Sequence, residues 1–484
     1  MSDGEAGDTV VRRERFAGGP AREFLSSMGF DARLFAADLA VDRAHVVMLA
    51  EQDVVSEADA SAILGALDDV EDAGFDALPD GEDVHEAIET AVIERVGPEG
   101  GRMHTARSRN DEVAACLRYE YRAALLDAIE TVVEAREALC DVAEAERETV
   151  MPGYTHLQPA QPTTVAHWAL SYEAALARDT ERLLDAYERT NRSPLGAAAF
   201  AGTPFEIDRE RTADLLGFDA VLSNSMDAVS SRDFLVEGSA AFAGLATTLA
   251  GLAEDVVVFA NKGLVELDDD YSSTSSIMPQ KKNPDTLELV RSVAGDATGG
   301  LQALLSTLKG LPRAYNRDLQ NASPHAWRVA DAVTDAVDVA AGAVATAEWP
   351  AEPLEAAAGE GFSTATGVAD LLAMHGLPFR TAHEVVATAA ERGADVDAVA
   401  EAYADVTGDD LTARVAREDV AAALDPTASV ESRDSAGGPA PDALAASLAA
   451  SLERLESDAA VAGERAEALE SAAATLSAEV SRYA

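Results

Sequence analysis

The sequence predicts a mainly α-helical protein of three domains, built around a long central bundle of five helices. The chain has 484 residues, of which 48% are hydrophobic, and this is enough for a large buried core. Aromatic residues make up only 5% of the chain, and Ala, Leu, Glu, Asp and Arg dominate it, which favours helix over sheet. Between Ser108 and Glu148 there is neither Pro nor Gly, and apolar pairs recur every seven residues, as in a bundle seam.

The elements follow from this pattern in chain order. The first domain, residues 1–105, is predicted to contain short helices over 57–72 and 83–96, the second stopped by Gly97-Pro98. The central domain, residues 106–350, contains the five long helices, which are predicted over 108–148, 163–191, 226–262, 284–309 and 322–346. The third domain, residues 351–484, is predicted to hold helices over 361–376, 380–392, 418–424 and 442–483, with a Pro/Gly/Ser-rich loop at 425–441.

The longest apolar stretch, Gly238 to Ala253, is mostly Ala, Gly and Thr and is followed by two acids. It predicts a buried helix and not a membrane span. The N-terminus has no apolar signal core, and the two cysteines, Cys116 and Cys140, lie in helical pattern. We therefore expect reduced thiols and a cytoplasmic protein.

The charge is strongly negative. The chain carries 37 basic and 87 acidic residues, a net charge of −50, which argues against binding to nucleic acid or to anionic membranes. Four of the basic residues are Lys (Lys262, Lys281, Lys282 and Lys309) and the remaining 33 are Arg. This balance predicts a host that lives in concentrated salt, and it makes the adjacent pair at 281–282 conspicuous.

The first connector with unusual chemistry is GGRMHTARSRNDE, residues 100–112. It places Arg107, Arg109 and Asn110 at the start of the long helix, where cations oppose the helix dipole but suit an anionic ligand. The alternative is that these arginines form ordinary surface ion pairs.

The second connector, residues 151–164, contains three prolines and His156, which is flanked by Thr155 and Gln158. Proline stiffens the segment and helps to fix the direction of the His, which is a natural general acid or base. A purely structural His remains the alternative.

The third connector, residues 268–289, has five hydroxyl residues at 272–276, followed by Lys281, Lys282 and the helix start Asn283-Pro284-Asp285. We expect Asn283 to be the N-cap and Pro284 to be the first helical residue. The segment would then bring a hydroxyl, a cation and backbone N–H donors together. A flexible linker plus a helix cap is the alternative.

No phosphate-binding loop, dinucleotide fingerprint or zinc motif is present, and the eight His lack metal-ligand spacing, so we expect no cofactor and no metal. Without a cofactor, these groups suit proton abstraction beside a carboxylate, followed by loss of a leaving group from the next carbon. The carboxylate then becomes a doubly charged aci-carboxylate, which a fixed cation must stabilise.

The motifs resemble those of a known group of enzymes. SSIMPQKKNP at 275–284 is similar to the signature of the fumarase/aspartase superfamily, and its MPQKKNP form is most similar to the argininosuccinate lyase family. The resemblance covers roughly residues 11–440, in the family's order, through RRERFAGGP, HTARSRNDEV, MPGYTHLQPAQP, NSMDAVSSRDF, KGLPRAYNRDLQ and LPFRTAHEVV.

The resemblance implies cleavage of argininosuccinate to arginine and fumarate, in arginine biosynthesis, by a homotetramer with a twenty-helix core. Each active site would combine loops from three subunits. By motif, Ser275 resembles the base, and His156 resembles the acid or its partner. The implied supporting residues are Glu288 (orienting the His), Lys281 and Asn283 (holding the aci-carboxylate), Ser27, Arg109, Asn110 and Thr155 (contacting succinate), and Arg232, Tyr315 and Gln320 (contacting the rest of the substrate).

Two positions depart from the family pattern. Thr274 stands where the superfamily often has Gly, and Ser323 where the family commonly has Lys. Thr274 would make the loop at Ser275 stiffer than Gly would, and Ser323 would remove an ionic contact to the substrate. A sister lyase acting on adenylosuccinate, aspartate or fumarate, and a structural homologue without activity, remain alternatives.

Overall fold

The computed structural model describes residues 21–483. The segment RRERFAGGP at 12–20, which carries part of the resemblance, lies outside these described residues. The N-terminal region begins with two single-turn helices and continues with three longer ones: α1 Arg22–Leu25, α2 Met28–Asp31, α3 Phe35–Glu51, α4 Glu57–Ala73 and α5 Val84–Val96.

The predicted five-helix bundle is confirmed, and four of its helices begin and end within three residues of the expected places. The third, predicted over 226–262, begins only at Asp233, because residues 225–230 form a separate short helix and Ser231 and Arg232 are not helical. Two short helices precede its third member: α6 Arg109–Ala145, α7 Val165–Thr190, α8 Arg209–Leu215, α9 Ser225–Ser230, α10 Asp233–Lys262, α11 Asp285–Leu308 and α12 Ser323–Ala345. The five long helices pack on one another around one core of Ala, Leu and Val side chains.

α10 is the one helix among the described residues that is long and apolar enough to cross a membrane. In the structure it packs against α7, α11 and α12. Gly238 on its first half allows the hydroxyl of Tyr121 to approach within 2.5 Å of where a Cβ would stand. These contacts make α10 a core helix of the bundle, as the sequence predicts.

Three two-stranded ladders interrupt the helices in the described part of the chain. Two are antiparallel and the middle one is parallel: β1 Val150–Thr155 with β2 Gln158–Thr164, β3 Arg192–Ser193 with β4 Ala220–Val221, and β5 Ser273–Thr274 with β6 Lys282–Asn283. The sequence prediction gave connectors in place of the first and third ladders.

The C-terminal region divides into two parts. Residues from Phe362 to Leu424 form a small helical unit with its own apolar core, whereas the last helix lies along α6 and α7 of the bundle. The helices are α13 Ala351–Ala358, α14 Ala365–Met374, α15 Phe379–Ala390, α16 Val396–Thr407, α17 Arg417–Leu424, α18 Pro426–Glu431 and α19 Pro441–Val480. The predicted 425–441 loop was wrong in part, because Asp425 caps α18 by accepting the Ala428 N–H.

Candidate active site

One end of the bundle carries a cleft that brings together four of the residues predicted to bind substrate, Ser27, Arg232, Tyr315 and Gln320. The chain reaches this end from α2, from the start of α10 and from the segment before α12. The Ser27 hydroxyl donates to Asp31 Oδ2 at 2.6 Å, and Gln320 Nε2 donates to the Leu25 carbonyl at 3.3 Å. Both bonds hold polar side chains at the wall of the cleft.

Arg232 provides a buried cation in this cleft. Its side chain donates to the carbonyls of Ser231, at 2.9 Å, and Val229, at 3.4 Å. Within the described part of the chain, no carboxylate lies within 4.0 Å of it. Burial lowers the pKa of Arg232 to about 10, and Tyr315 partly opposes this shift. A guanidinium with no acidic partner and limited access to water is suited to binding a carboxylate of a ligand.

The segment before α6 reaches the same end of the bundle. Ser108 caps the helix, and Arg109 lies 3.6 Å from Asp83, which lines the cleft. The side-chain amide of Asn110 donates to the Ala199 carbonyl at 2.9 Å. Arg109 therefore lies next to a residue of the cleft wall, whereas Asn110 is held by Ala199, outside the residues that line the cleft; a contact of either side chain with a ligand stays a prediction.

The sequence left open whether Arg107 and Arg109 bind an anionic ligand or pair with acids of the protein, and for Arg107 the structure shows pairing with acids, which are buried and not on the surface. The Arg107 side chain is 0% exposed and turns into the protein interior, where it is paired with acids. Such a buried guanidinium cannot contact a ligand. Sequence alone does not separate two arginines two residues apart, because both precede the same helix.

His156 lies at the tip of the β1–β2 hairpin. Thr155 pairs with Gln158, so His156 and Leu157 form a two-residue turn, and their φ values are +56° and +58°. Turns of this type normally use Asn or Gly, because other residues are strained there. The hairpin thus holds an exposed His in a strained turn, a feature that recurs at functional sites.

Ser275 lies in a loop that the β5–β6 ladder closes. Its hydroxyl oxygen accepts the backbone N–H groups of Met278 at 3.1 Å and Ile277 at 3.3 Å. The chain turns back towards Ser275 at Lys281, whose backbone N–H donates to the Met278 carbonyl at 3.0 Å. A serine oxygen that accepts two N–H donors is stabilised as its proton leaves.

The two adjacent lysines differ in their partners. Lys282 pairs with Asp269 at 2.8 Å and lies 3.8 Å from Glu266. For Lys281, no acidic side chain lies within 4.0 Å among residues 21–483, and the side chain is exposed. Lys281 is thus the lysine available to an anionic ligand.

The predicted helix start at Asn283 was wrong by one residue. Asn283 pairs with Ser273 as the last residue of β6, so its backbone is extended, and Pro284 is the N-cap of α11. Glu288 follows in the first turn of that helix and is exposed. Asn283 and Glu288 are thus close to Lys281 in sequence, but Asn283 belongs to β6 and Glu288 to α11.

The described chain keeps two groups of predicted residues at opposite ends of the bundle. Arg232 begins α10 at the cleft, and Lys262 ends it about 45 Å away, at 1.5 Å per residue. The Lys262 ammonium lies 5.1 Å from the ring centroid of Tyr154, two residues before His156. No hydrogen bond or ion pair within residues 21–483 links His156 to Ser275 or to the cleft.

The described residues include two groups of side chains close enough to hold a metal ion, Asp38 with His85 and Cys116, and Asp38 with Asp42 and Glu112. In both groups the acids are already beside a cation of the protein, since His85 lies 2.8 Å from Asp38 and Arg107 contacts Asp42 and Glu112. The residues present do not favour a metal there.

The cleft also contains residues that sequence reasoning missed. Asp31, Asp83 and His85 line it together with Ser323. Asp83 was noted only as the start of a helix, which it is, since its carboxylate accepts the Glu86 N–H at 2.8 Å. The stretch GEDVHE at 81–86 places three acids and a His around one helix start, a signal that could have been noticed.

Comparisons with known proteins agree over the whole chain. The family model described as lyase matches residues 22–299, and the one described as argininosuccinate lyase C-terminal matches residues 362–431. Argininosuccinate lyase of Haloarcula marismortui is 66% identical over the full length of both chains. That of Halobacterium salinarum is 70% identical over 99% of each.

The chain belongs to the argininosuccinate lyase family. Methanosarcina acetivorans has a more distant member that is 47% identical over 90% of this chain and 91% of its own. The much higher identity to proteins of haloarchaea fits the acidic, lysine-poor composition. Among solved structures, EDDS lyase in complex with formate superposes with a TM-score of 0.86 at 33% identity, covering 96% of this chain and 95% of its own.

The lyase model covers the chain up to residue 299, before the last helix of the bundle, and the argininosuccinate lyase C-terminal model covers the small C-terminal unit. A variant of EDDS lyase with bound fumarate has a TM-score of 0.85 and 32% identity, over 96% of this chain and 95% of its own.

Proposed function

We propose that the protein cleaves argininosuccinate to arginine and fumarate by β-elimination, as part of arginine biosynthesis in the cytoplasm. The observation that carries the proposal is the 66–70% identity, over essentially the full length, to proteins named argininosuccinate lyase. The fumarate bound to an EDDS lyase variant of similar fold supports fumarate as the product.

In the proposed reaction, Ser275 removes a proton from the carbon next to a carboxylate of the succinate moiety. The electron pair moves into that carboxylate, and Lys281 and Asn283 stabilise the resulting aci-carboxylate. When the intermediate collapses, the C–N bond breaks and the C=C bond of fumarate forms. His156, oriented by Glu288, supplies the proton that the leaving nitrogen takes up.

The cleft is proposed to hold the substrate. Arg109, Asn110, Thr155 and Ser27 contact the succinate moiety. Arg232, Tyr315 and Gln320 contact the arginine moiety, where the unpaired Arg232 guanidinium suits its carboxylate. Ser323 lies in the same cleft, so it is placed to donate a hydrogen bond where the family commonly has a lysine.

The proposed assembly is a homotetramer with shared sites. One chain holds Arg109 and Arg232 at one end of the bundle and the hairpin with His156 at the other. This separation supports a site in which these groups come from different chains packed with their helices antiparallel. The outer face of α11, which exposes Leu289 and Leu305 together with several small residues, is suited to such packing.

A comparison of five substrates tests this proposal. Argininosuccinate, adenylosuccinate, aspartate, malate and ethylenediamine disuccinate would be offered in molar salt, and fumarate followed by ultraviolet absorbance. We expect fumarate from argininosuccinate at a kcat/KM far above that for the others. A preference for any other substrate would overturn the specificity. No fumarate from any of them, with the protein shown to be assembled, would favour a structural homologue.

A further inference from the structure

Five buried charged side chains form a cluster directly beneath the Arg109–Asn110 segment. The buried charge cluster consists of Asp38 and Asp42 from α3, His85 from α5, Arg107 from the segment before α6, and Glu112 from α6. Their side chains are between 0% and 2% exposed. Fully buried charges are costly, so a cluster of this size requires an explanation.

The contacts in the cluster converge on Arg107 and His85. Arg107 Nη2 lies 2.5 Å from Asp42 Oδ1 and 2.9 Å from Glu112 Oε1. His85 Nδ1 lies 2.8 Å from Asp38 Oδ1 and 4.0 Å from Glu112 Oε1. The cluster therefore fastens the segment before α6 to three separate helices.

Counting charges shows how the cluster can be buried. Three carboxyl groups face two cations, so a neutral cluster must keep one carboxyl proton. Burial, together with the neighbouring Asp38 and Glu112 charges, raises the pKa of Asp42 well above its usual range, although Arg107 opposes this. Burial raises the pKa of Glu112 as well, so we expect the retained proton on one of the two carboxyls that contact Arg107, and Asn at position 42 would be close to isosteric with a protonated Asp42.

The cluster holds Arg107, the buried side chain that directly precedes Ser108, Arg109 and Asn110; Asp111, which follows them, is buried as well and caps α6. Ala106 has a φ of +63°, an uncommon value for a residue other than Gly, which turns the chain sharply before Arg107. His45 Nε2 lies 2.8 Å from the Thr105 carbonyl and fixes the start of the turn. Arg107 is then an anchor for the direction in which Arg109 and Asn110, two and three residues further on, leave the turn.

We propose that the buried charge cluster acts through Arg107 as a positioning device for Arg109 and Asn110, so that Arg107 is a positioning residue of the lyase reaction. This inference rests on the proposed function and deepens it. Arg107 itself never touches the substrate, because its side chain is fully buried. It acts by fixing the direction of the Arg109 and Asn110 side chains.

The test compares Arg107→Met, Arg107→Lys and Asp42→Asn with a matched control, Arg136→Met. Arg136 is also 0% exposed, lies on α6 and pairs with Glu173 at 3.1 Å and Asp458 at 2.6 Å, but it is roughly 40 Å from Arg109 along the helix. Each variant would be assayed in molar salt for kcat, KM and thermal midpoint, and for amide hydrogen exchange in residues 105–110.

We expect Arg107→Met to lower kcat/KM about 100-fold, the effect of an ångström-scale misplacement of substrate-binding groups. Lys should recover part of this loss, since one ammonium can approach both carboxylates. Asp42→Asn should stay close to the parent protein. Arg136→Met should lower the thermal midpoint as much as Arg107→Met does while kcat/KM changes less than about threefold. Equal losses of kcat/KM in the two Met variants would overturn the proposal.

If Arg107→Met does not assemble, Arg107→Lys decides. Faster exchange at 105–110 and a kcat/KM about tenfold below that of the parent support positioning, and parent-like values overturn it. If the parent protein releases no fumarate, the proposed function fails separately. Exchange at 105–110 then still tests the anchor: it must accelerate in the Arg107 variants and stay unchanged in Arg136→Met.

Discussion

Mixing two inactive variants tests whether one active site uses more than one chain. The first variant, Arg109→Gln, changes the cleft end of the bundle, and the second, His156→Asn, changes the hairpin end. Each is expected to be inactive alone, because every site of the proposed homotetramer would lack one group. Active sites can return only if a site takes these two groups from different chains.

The structure fixes the size of the effect. α6 has 37 residues and is about 55 Å long at 1.5 Å per residue, with Arg109 as its first residue and the hairpin following its end. No side chain spans that length, so if both groups serve one site, as proposed, they come from different chains. In a random equal mixture each group is intact with a chance of one half, and roughly a quarter of the sites should be complete.

The assay separates the two variants into subunits in low salt, mixes them, and restores molar salt before fumarate release is followed. We expect about a quarter of the activity of the parent protein. Arg109→Gln mixed with Asn110→Leu is the matched control: both change the same segment, so no site can be complete. Activity of the first mixture no greater than that of this control would refute the shared site.

Three further predictions follow from the charges. The net charge of −50 per chain sums to −200 for the proposed four chains. Because dilute salt screens this repulsion less, the assembly should dissociate in part below about 0.5 M salt. A molar mass from light scattering that stays constant into dilute buffer would contradict this. Burial lowers the pKa of His85, but the charge and hydrogen bond of Asp38 outweigh burial, and the pKa rises to about 10. Protonated His85 therefore contributes its full stabilisation below the unfolded pKa near 6.5. This contribution to the free energy of unfolding is lost as the pH rises from there to 10, on the order of one kcal/mol per pH unit. The thermal midpoint should accordingly fall over this range in the parent and less steeply in His85→Gln, and parallel curves would count against the assignment. Asp111 accepts the N–H groups of Ser108, Gly196 and Ala198 at 2.8–2.9 Å. Asp111→Ala should therefore lower kcat/KM and the thermal midpoint, with a loss of stability on the order of 3 kcal/mol. A midpoint that calorimetry finds unchanged would show that the protein does not need these bonds.

The bundle could be predicted from the sequence because its helices are long, free of Pro and Gly in the interior, and regularly patterned. α3, Phe35–Glu51, was missed because it is buried on nearly all sides and carries Asp38, Asp42 and His45 inside, so it shows no polar face. The β1–β2 hairpin was missed because its prolines indicate a connector, and because His156-Leu157 is not a usual turn sequence.

The sequence names candidate site residues, which stay predictions, but it does not show where they lie. The motifs point to Arg109, His156 and Ser275, yet sequence order does not show that a bundle about 45 Å long separates Arg109 from His156. The inward turn of Arg107 was equally hidden, because it depends on carboxylates from α3 that lie more than 60 residues away in the chain. Long-range pairing of this kind leaves no local pattern.

Fumarate release from argininosuccinate by the parent protein and by Ser275→Ala, in molar salt, tests the central claim most directly. The account predicts fumarate and arginine in equal amounts from the parent protein, and a loss of at least a hundredfold in kcat for the variant at an unchanged thermal midpoint. Parent-like turnover by Ser275→Ala would remove that serine from the chemistry. No product from an assembled parent protein would contradict the assignment of the activity itself.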